Sequence, residues 1–318
     1  MKVLANDGVS ASGIEALTNA GYTVITDKVE QENLVDYINR ENIEILFVRS
    51  ATTARKELID SCPGLKLIGR GGVGMDNIDV QYARDIGRIV INTPGASSQS
   101  VAELVMGHLF AISRSLNDSY KNMENGDFKS LKKKYGKGVE LRGKNITIIG
   151  FGRIGQSLAK YAIGVGMNVT AVDLFAGTTN IEIELGNNAS ASIEIIPLKS
   201  VLDGIKDADY ISLHVPKQND GSAVIGSKEF DAMKDSVRIV NAARGGVIDE
   251  DALLVALNTG KVAACALDVY ENEPNPRKDL LNHPSIACTP HVGAATGEAQ
   301  DRIGTELAET IIAKFGTH

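Results

Sequence analysis

The stretch NITIIGFGRIGQSLAKYAIGVGMNVTAVD, residues 145–173, carries the most specific structural signal in this 318-residue chain. A β-branched run is followed by three glycines in GxGxxG spacing, Gly150, Gly152 and Gly155, then by an amphipathic run and a second strand that ends in Asp173. Strand, glycine turn, helix and strand with a terminal acid form the fingerprint of a dinucleotide-binding unit. The glycines allow a tight turn beside the pyrophosphate, and the acid can accept hydrogen bonds from the adenosine ribose.

The same acid indicates which dinucleotide is bound. A carboxylate at Asp173 repels the 2′-phosphate of NADP, and no arginine that could bind that phosphate follows in LFAGTT, residues 174–179. The sequence therefore predicts NAD as the cofactor.

A second run with the same glycine spacing, GRGGVG at residues 69–74, fails this test. The strand after its helix, RIVIN, ends at Asn92 rather than at an acid. Arg70 lies among closely spaced glycines, an arrangement in which backbone amides and a cation can surround an anion. We expect an anion site here, with a plain surface loop as the alternative.

Short β-branched runs alternate with helical runs on both sides of the fingerprint. They include KVLAND, IEILFVRS and RIVIN before it, and YISLHVP, VRIVNAA and SIACTP after it. This alternation predicts an α/β protein with two doubly wound parallel-sheet, Rossmann-like domains. A long helical run from Ser98, with Ser100 and Glu103 in capping-box spacing, has an apolar face that could serve a dimer. The polar and β-branched segment 177–196 suggests no function.

Composition disfavours several classes of protein. With 43% hydrophobic and 23% charged residues the chain is that of an ordered globular protein. The net charge of −7 argues against a nucleic-acid partner, and the one basic cluster, residues 129–138, is interpreted as a solvated loop. No signal-like or membrane-spanning apolar run occurs, and the three cysteines form no CxxC pair. We expect a cytoplasmic protein without a membrane partner or a metal.

Three strand ends supply candidate catalytic side chains. His291 follows the strand SIACTP and precedes small residues, a position suited to a proton donor, although an ordinary loop histidine is the alternative. Arg244 stands among small residues and could grip a carboxylate with two parallel hydrogen bonds. Asp268, Glu271 and Glu273 share one acidic loop. One of these carboxylates could bond to His291 and raise its pKa, but spacing does not choose among them.

Two other histidines lie in contrasting settings. His214 ends the strand YISLHVP at the edge of the sheet where ligands bind, so we expect it to contact the cofactor, mostly through its backbone. His108 lies inside the long apolar helix and is expected to be a core or interface residue.

These motifs together resemble those of the D-isomer-specific 2-hydroxyacid dehydrogenases. The resemblance covers nearly the whole chain, at VRSAT (48–52), GRGGVGMDNID (69–79), NTPGASSQSVAE (92–103), LRGKNITIIGFGRIG (141–155), LHVP (213–216), VNAARGGVIDE (240–250), ALDVYENEP (266–274) and TPHVGAAT (289–296). It implies an NAD-dependent enzyme that transfers a hydride to or from a small anionic 2-hydroxy acid.

The resemblance also implies residue roles. Arg244, Glu273 and His291 would be catalytic, which selects Glu273 from the acidic loop. Besides the three glycines of the fingerprint, the implied cofactor contacts are Arg153, Ile154, Asp173, His214, Val215, Pro216, Ala242, Ala243, Arg244, Asp268, and His291 to Gly293.

Family likeness further implies a domain inserted into another. Residues 98–289 would bind NAD, and residues 1–97 with 290–318 would form the substrate domain, with the active site in the cleft between them. Members that act on 3-phosphoglycerate are similar to this chain at VRSAT and GRGGVG. Arg49 and Arg70 would then meet the substrate phosphate, and the amides of Val73 and Gly74 would meet its carboxylate, which Arg244 and His291 also approach.

We therefore expect oxidation of D-3-phosphoglycerate by a homodimer. Because the chain stops soon after its closing helix, we expect no C-terminal serine-sensing domain. The alternative within the family is a reductase of glyoxylate, hydroxypyruvate or another 2-keto acid. A less favoured alternative is an NADH-sensing binding protein without turnover.

Overall fold

The computed structural model describes all 318 residues, which form two compact units. Residues Met1–Ser98 and Ala294–His318 make the first, and Gln99–Gly293 make the second. The chain therefore returns to the first unit at residue 294, later than the expected crossing at 290. The difference arises because the Asp268 carboxylate of the second unit accepts the backbone N–H groups of Val292 and Gly293 and holds the turn around His291.

The chain forms thirteen strands and thirteen α-helices. The strands are β1 (Lys2–Ala5), β2 (Thr23–Ile25), β3 (Ile45–Val48), β4 (Leu67–Arg70), β5 (Ile89–Asn92), β6 (Asn145–Ile149), β7 (Asn168–Val172), β8 (Thr179–Gly186), β9 (Ala189–Ile195), β10 (Tyr210–Leu213), β11 (Val237–Asn241), β12 (Val262–Leu267) and β13 (Ile286–Cys288). The helices are α1 (Ala11–Asn19), α2 (Leu34–Glu41), α3 (Lys56–Ser61), α4 (Val80–Asp85), α5 (Ser98–Arg114), α6 (Leu116–Asn122), α7 (Phe128–Tyr135), α8 (Arg153–Gly164), α9 (Val201–Ile205), α10 (Ser227–Ala232), α11 (Glu250–Asn258), α12 (Lys278–Leu281) and α13 (Gly297–Phe315).

The first unit is built on a five-stranded parallel sheet in the order β2-β1-β3-β4-β5. Alternate strand residues enter two cores, with Leu4 in one and Phe47 in the other, as expected when helices cover both faces. The strand order reverses between β1 and β3. The loops after these two strands therefore lie side by side, at the place where such sheets bind ligands.

The second unit carries a six-stranded parallel sheet in the order β13-β12-β11-β10-β6-β7. Ile148 and Ile149 enter the cores on opposite faces of this sheet. Its order reverses between β6 and β10, which brings the turn after β6 next to His214 after β10. The predicted α/β class with two doubly wound parallel sheets is confirmed.

The helical run after Ser98 differs from its prediction in two respects. Ser100 lies inside α5, where its hydroxyl donates to the Gly293 carbonyl over 2.7 Å instead of capping the helix. The helix also ends at Arg114, because Ser115 adopts a left-handed φ of 51° that a continuing α-helix does not allow. Two shorter helices, α6 and α7, follow.

Segment 177–196 forms an antiparallel hairpin of β8 and β9. Asn187 and Asn188 make its turn with positive φ values, as a two-residue hairpin turn requires. Ile181, Ile183 and Ile195 are buried in the core that contains residues of α8, so the hairpin covers a helix in the second unit. None of the helices in the chain combines the length and the hydropathy needed to cross a membrane.

Candidate active site

The glycine turn after β6 is shaped by close backbone contacts. Gly150 has a φ of 93°, and a Cβ atom there would lie 2.5 Å from the His214 carbonyl oxygen. A Cβ at Gly155 would lie 2.2 Å from the Gly150 oxygen. Gly152 differs, because it faces open space and precedes α8 without a side-chain cap. The first amides of α8, those of Arg153 and Ile154, therefore border a space that suits the pyrophosphate of a dinucleotide.

Asp173 ties the end of β7 to this turn. Its Oδ2 accepts the Phe151 N–H over 2.8 Å, and its Oδ1 accepts the N–H groups of Phe175 and Ala176, each over 2.8 Å. Burial raises the pKa of Asp173, but these amides outweigh burial and hold the pKa below its usual value. The carboxylate at the adenosine end of the fingerprint is thus ionised, as NAD selectivity requires.

His214 closes the turn from the neighbouring strand. Its amide donates to the Ile149 carbonyl over 2.7 Å, and its Nε2 lies 2.8 Å from the Ser212 hydroxyl. Burial lowers the pKa of His214 to about 4, so the ring is neutral near pH 7. Val215 also reaches the turn, since its Cγ1 would lie 2.9 Å from a Cβ on Gly150. A neutral, half-buried His214 is suited to shaping the cofactor edge rather than to moving protons.

His291 and Glu273 form a hydrogen-bonded pair. The distance from His291 Nδ1 to Glu273 Oε2 is 2.8 Å, and Glu273 Oε1 accepts the Tyr270 N–H over 2.9 Å. Glu271 does not take this place: its own N–H donates to Glu250. Burial raises the pKa of Glu273, but the bonds from His291 and Tyr270 and the charge of nearby Arg244 together hold it below its usual value. An ionised carboxylate on Nδ1 leaves Nε2 as the nitrogen that can exchange a proton with a substrate oxygen.

The turn that carries His291 is held by one carboxylate. His291 itself has a left-handed φ of 54°. The buried Asp268 accepts the Thr289 hydroxyl and the Val292 N–H on Oδ1, at 2.6 and 2.9 Å, and the Gly293 N–H on Oδ2 at 2.9 Å. Asp268 therefore holds the Thr289 side chain before the histidine and the backbone after it.

Arg244 lies in a loop fixed by Asn241. The Asn241 amide group donates to the Arg244 carbonyl over 2.9 Å, and its Oδ1 accepts the Ala243 N–H over 3.0 Å. A Cβ at Gly245 would lie only 1.8 Å from the Tyr270 oxygen, so only glycine allows this loop to pack against the loop that carries Glu273. No role was predicted for Asn241 from the sequence, although its position as the last residue of β11 is a usable signal.

Arg49 and the GRGGVG loop lie together in the first unit. A Cβ at Gly71 would lie 3.5 Å from Arg49 Cγ, and the Arg70 guanidinium hydrogen-bonds to the Gly71 carbonyl. The Gly71 and Gly72 amides donate to Val48 O and Thr93 Oγ1 within the unit. Val73, at 38% exposure, and Gly74 follow them at the open end of the loop.

Asp7, for which the sequence predicted no role, holds the loop of Arg49. Its Oδ2 accepts the Arg49 and Thr52 N–H groups over 2.6 and 3.0 Å, and its Oδ1 accepts the Thr52 hydroxyl and the Lys28 ammonium, both over 2.7 Å. Asp7 lies just after β1, and only the pairing of β1 with β3 brings it to Arg49.

Each unit thus gathers its own set of expected residues. The carboxyl edge of the second sheet carries the glycine turn, Asp173, His214, and the loops of Arg244, Asp268, Glu273 and His291. Arg49 with the loop of Arg70, Val73 and Gly74 occupies the corresponding edge of the first sheet.

Comparisons with known proteins place the chain among dehydrogenases. The family described as D-isomer specific 2-hydroxyacid dehydrogenase, NAD binding domain, matches residues 106–293. A hydroxypyruvate reductase of Thermotoga maritima is 40% identical over 319 residues, which are 99% of this chain and 98% of that protein. A D-3-phosphoglycerate dehydrogenase of Methanocaldococcus jannaschii is 39% identical over 311 residues, which are 98% of this chain but 57% of that longer protein.

Solved structures lead to the same family. The crystal structure of NAD⁺-bound 3-phosphoglycerate dehydrogenase from Entamoeba histolytica has a TM-score of 0.78 and 25% identity to this protein, with 100% of this chain and 96% of that one covered. The chain belongs to the D-isomer-specific 2-hydroxyacid dehydrogenase family, and its cofactor is NAD.

Proposed function

We propose that this protein oxidises D-3-phosphoglycerate to 3-phosphohydroxypyruvate, the first step towards serine. The observation that carries this proposal is the position of Arg49 against the glycine loop of Arg70 in the first unit. Two guanidinium groups suit a phosphate dianion, which a substrate without phosphate does not offer. The amides of Val73 and Gly74 would bind the carboxylate at the other end of the substrate.

The second unit supplies the groups for the chemistry. Bound NAD provides the hydride acceptor. His291 Nε2 takes the proton of the C2 hydroxyl, and Glu273, ionised and bonded to Nδ1, stabilises the resulting imidazolium. Arg244 binds the carboxylate and polarises the C2 oxygen. In the reductive direction His291 returns the proton to that oxygen.

Reduction of hydroxypyruvate is the second candidate. It is favoured by the relative from T. maritima, which matches this chain over 98% of its own length. The bond from Arg70 to the Gly71 carbonyl also gives that guanidinium a partner in its own loop, so a phosphate is not required to hold it.

The experiment compares kcat/KM for phosphohydroxypyruvate and hydroxypyruvate by the loss of NADH absorbance. A hydrogen bond to a charged group contributes about 1.5–3 kcal/mol, so two arginines on the phosphate predict a preference of at least roughly 100-fold for phosphohydroxypyruvate. Arg70→Ala should remove about ten- to a hundredfold of that preference and leave hydroxypyruvate turnover nearly unchanged.

Arg40→Ala is the matched control, because it removes the same charge from an exposed position at the end of α2. Equal kcat/KM values for the two substrates in the wild-type protein would instead assign it as a hydroxypyruvate reductase.

We further propose a cytoplasmic homodimer that pairs through α5, α6 and α7. Large apolar side chains are exposed along these helices: Phe110, Leu116, Tyr120, Met123 and Phe128. Such a patch is typical of an interface between subunits. The three cysteines are free, as in a reducing compartment.

A further inference from the structure

His108 in α5 is connected to the turn of His291 by a chain of partly buried hydrogen bonds. The side chain of His108 is buried, and its Nε2 lies 3.1 Å from the Thr289 hydroxyl oxygen. That hydroxyl lies 2.6 Å from Asp268 Oδ1, the oxygen that also accepts the Val292 N–H. His108, a polar residue on an apolar helix face, thus contacts the loop that carries His291, the proposed proton donor.

The direction of each bond follows from the chemistry of the groups. The Asp268 oxygens accept two backbone N–H groups and a carboxylate has no proton to donate, so the single hydroxyl proton of Thr289 must point to Asp268. The Thr289 oxygen must then accept from His108, which fixes the Nε2–H tautomer of that ring. Burial lowers the pKa of His108, although the charge of Asp268 opposes this, and a neutral ring supplies the one N–H that is needed.

We propose that His108 is a positioning residue for His291, acting through Thr289 and Asp268. By donating to Thr289 it directs that hydroxyl to Asp268, whose two oxygens hold the backbone directly after His291. The effect on catalysis rests on the proposed role of His291 as the proton-transfer group, whereas the effect on the turn does not.

Hydrogen exchange in the cofactor-free protein tests the effect on the turn without any turnover. In His108→Leu the amides of Val292 and Gly293 should exchange about fivefold faster, the fold-change expected for one net hydrogen bond. His108→Gln should restore slow exchange, because its Nε2 can donate from nearly the same place. Unchanged exchange at these two amides in His108→Leu would overturn the proposal.

Ser113→Ala is the matched control on the same helix. It removes the buried hydroxyl that lies 2.8 Å from the Tyr210 hydroxyl, a bond with no connection to Asp268. This variant should lose stability but keep the wild-type exchange rates at Val292 and Gly293. Equal acceleration in both variants would show that His108 acts only on general stability, and would also refute the proposal.

A double-mutant cycle tests the route through Thr289. Thr289→Val should speed exchange at least as much as His108→Leu, and the double variant should be no faster than Thr289→Val alone. Effects on the exchange rate that multiply in the double variant would contradict a common route.

Turnover gives a second measurement. His108→Leu should lower kcat about fivefold with KM within twofold of the wild-type value, and His108→Gln should restore kcat. If the wild-type protein reduces no 2-keto acid, the proposed function fails while the exchange result still decides the role of His108 in the turn.

Discussion

Glu273→Gln removes the charge of the carboxylate that faces His291 and keeps an oxygen able to accept its hydrogen bond. The ring nitrogen and the carboxylate oxygen are 2.8 Å apart. Two unit charges centred about 4 Å apart attract each other by about 4 kcal/mol near a protein surface and by about 1 kcal/mol in bulk water. The His291 and Glu273 side chains are 42% and 36% exposed, which places the interaction between these limits. We take about 2 kcal/mol, which corresponds to a roughly thirtyfold lower kcat.

The assay is NADH oxidation under saturating 2-keto acid, with NADH affinity measured separately by fluorescence. Glu271→Gln is the control, because Glu271 lies in the same acidic loop and its main-chain N–H, not its carboxylate, makes the recorded bond to Glu250. We expect less than a twofold change in that variant. Equal losses in the two variants, or no loss in Glu273→Gln, would refute the assignment of Glu273.

Two further predictions concern the cofactor turn and the loop of Arg49. Gly152→Ala should fold normally, because a Cβ there meets nothing within 4 Å, yet it should weaken NADH binding at least roughly tenfold by filling the pyrophosphate space. The control Gly164→Ala, in equally open space on α8, should bind NADH as the wild-type protein does. Normal NADH affinity in Gly152→Ala would contradict the placement of the cofactor. Burial raises the pKa of Asp7, but hydrogen bonds from Lys28, Thr52 and Arg49 outweigh burial and lower this pKa. The ionised Asp7 therefore contributes its full stabilisation above the unfolded pKa of about 3.9, and this contribution is lost as the pH falls through the lower folded pKa. Asp7→Asn should therefore reduce the free energy of unfolding by about 1–3 kcal/mol at pH 7, and the difference from the wild-type protein should shrink at acid pH. Urea titrations that show a constant difference from pH 7 to below pH 3 would contradict this role of Asp7.

The cofactor fold was predictable because its signal is local. One strand-turn-helix-strand unit contains Gly150, Gly152, Gly155 and Asp173. The spacing of these residues along the sequence is set by the turn and by the length of the helix, so the sequence alone reveals it. The break at Ser115 was not predictable, since a left-handed serine leaves no mark in the periodicity of the apolar residues around it.

Contacts that depend on which strands pair could not be predicted from the sequence either. Asp7 meets Arg49 because β1 lies beside β3, and alternation of strands and helices does not determine strand order. The path of the chain after Tyr270 decides which of Glu271 and Glu273 contacts His291. Sequence spacing did not distinguish the two residues, whereas the family resemblance favoured Glu273. Thr289 and His108 are 181 positions apart and meet only in the folded second unit.

In the proposed mechanism His291 transfers the proton, and the His291→Asn variant is the decisive test of that role. Asparagine tolerates the left-handed φ of 54° at this position, so the turn should keep its backbone while the proton donor is lost. With phosphohydroxypyruvate and NADH, we predict a kcat lowered by roughly 10²–10⁴-fold with NADH affinity within twofold of wild type. A variant that turns over at the wild-type rate would contradict the account.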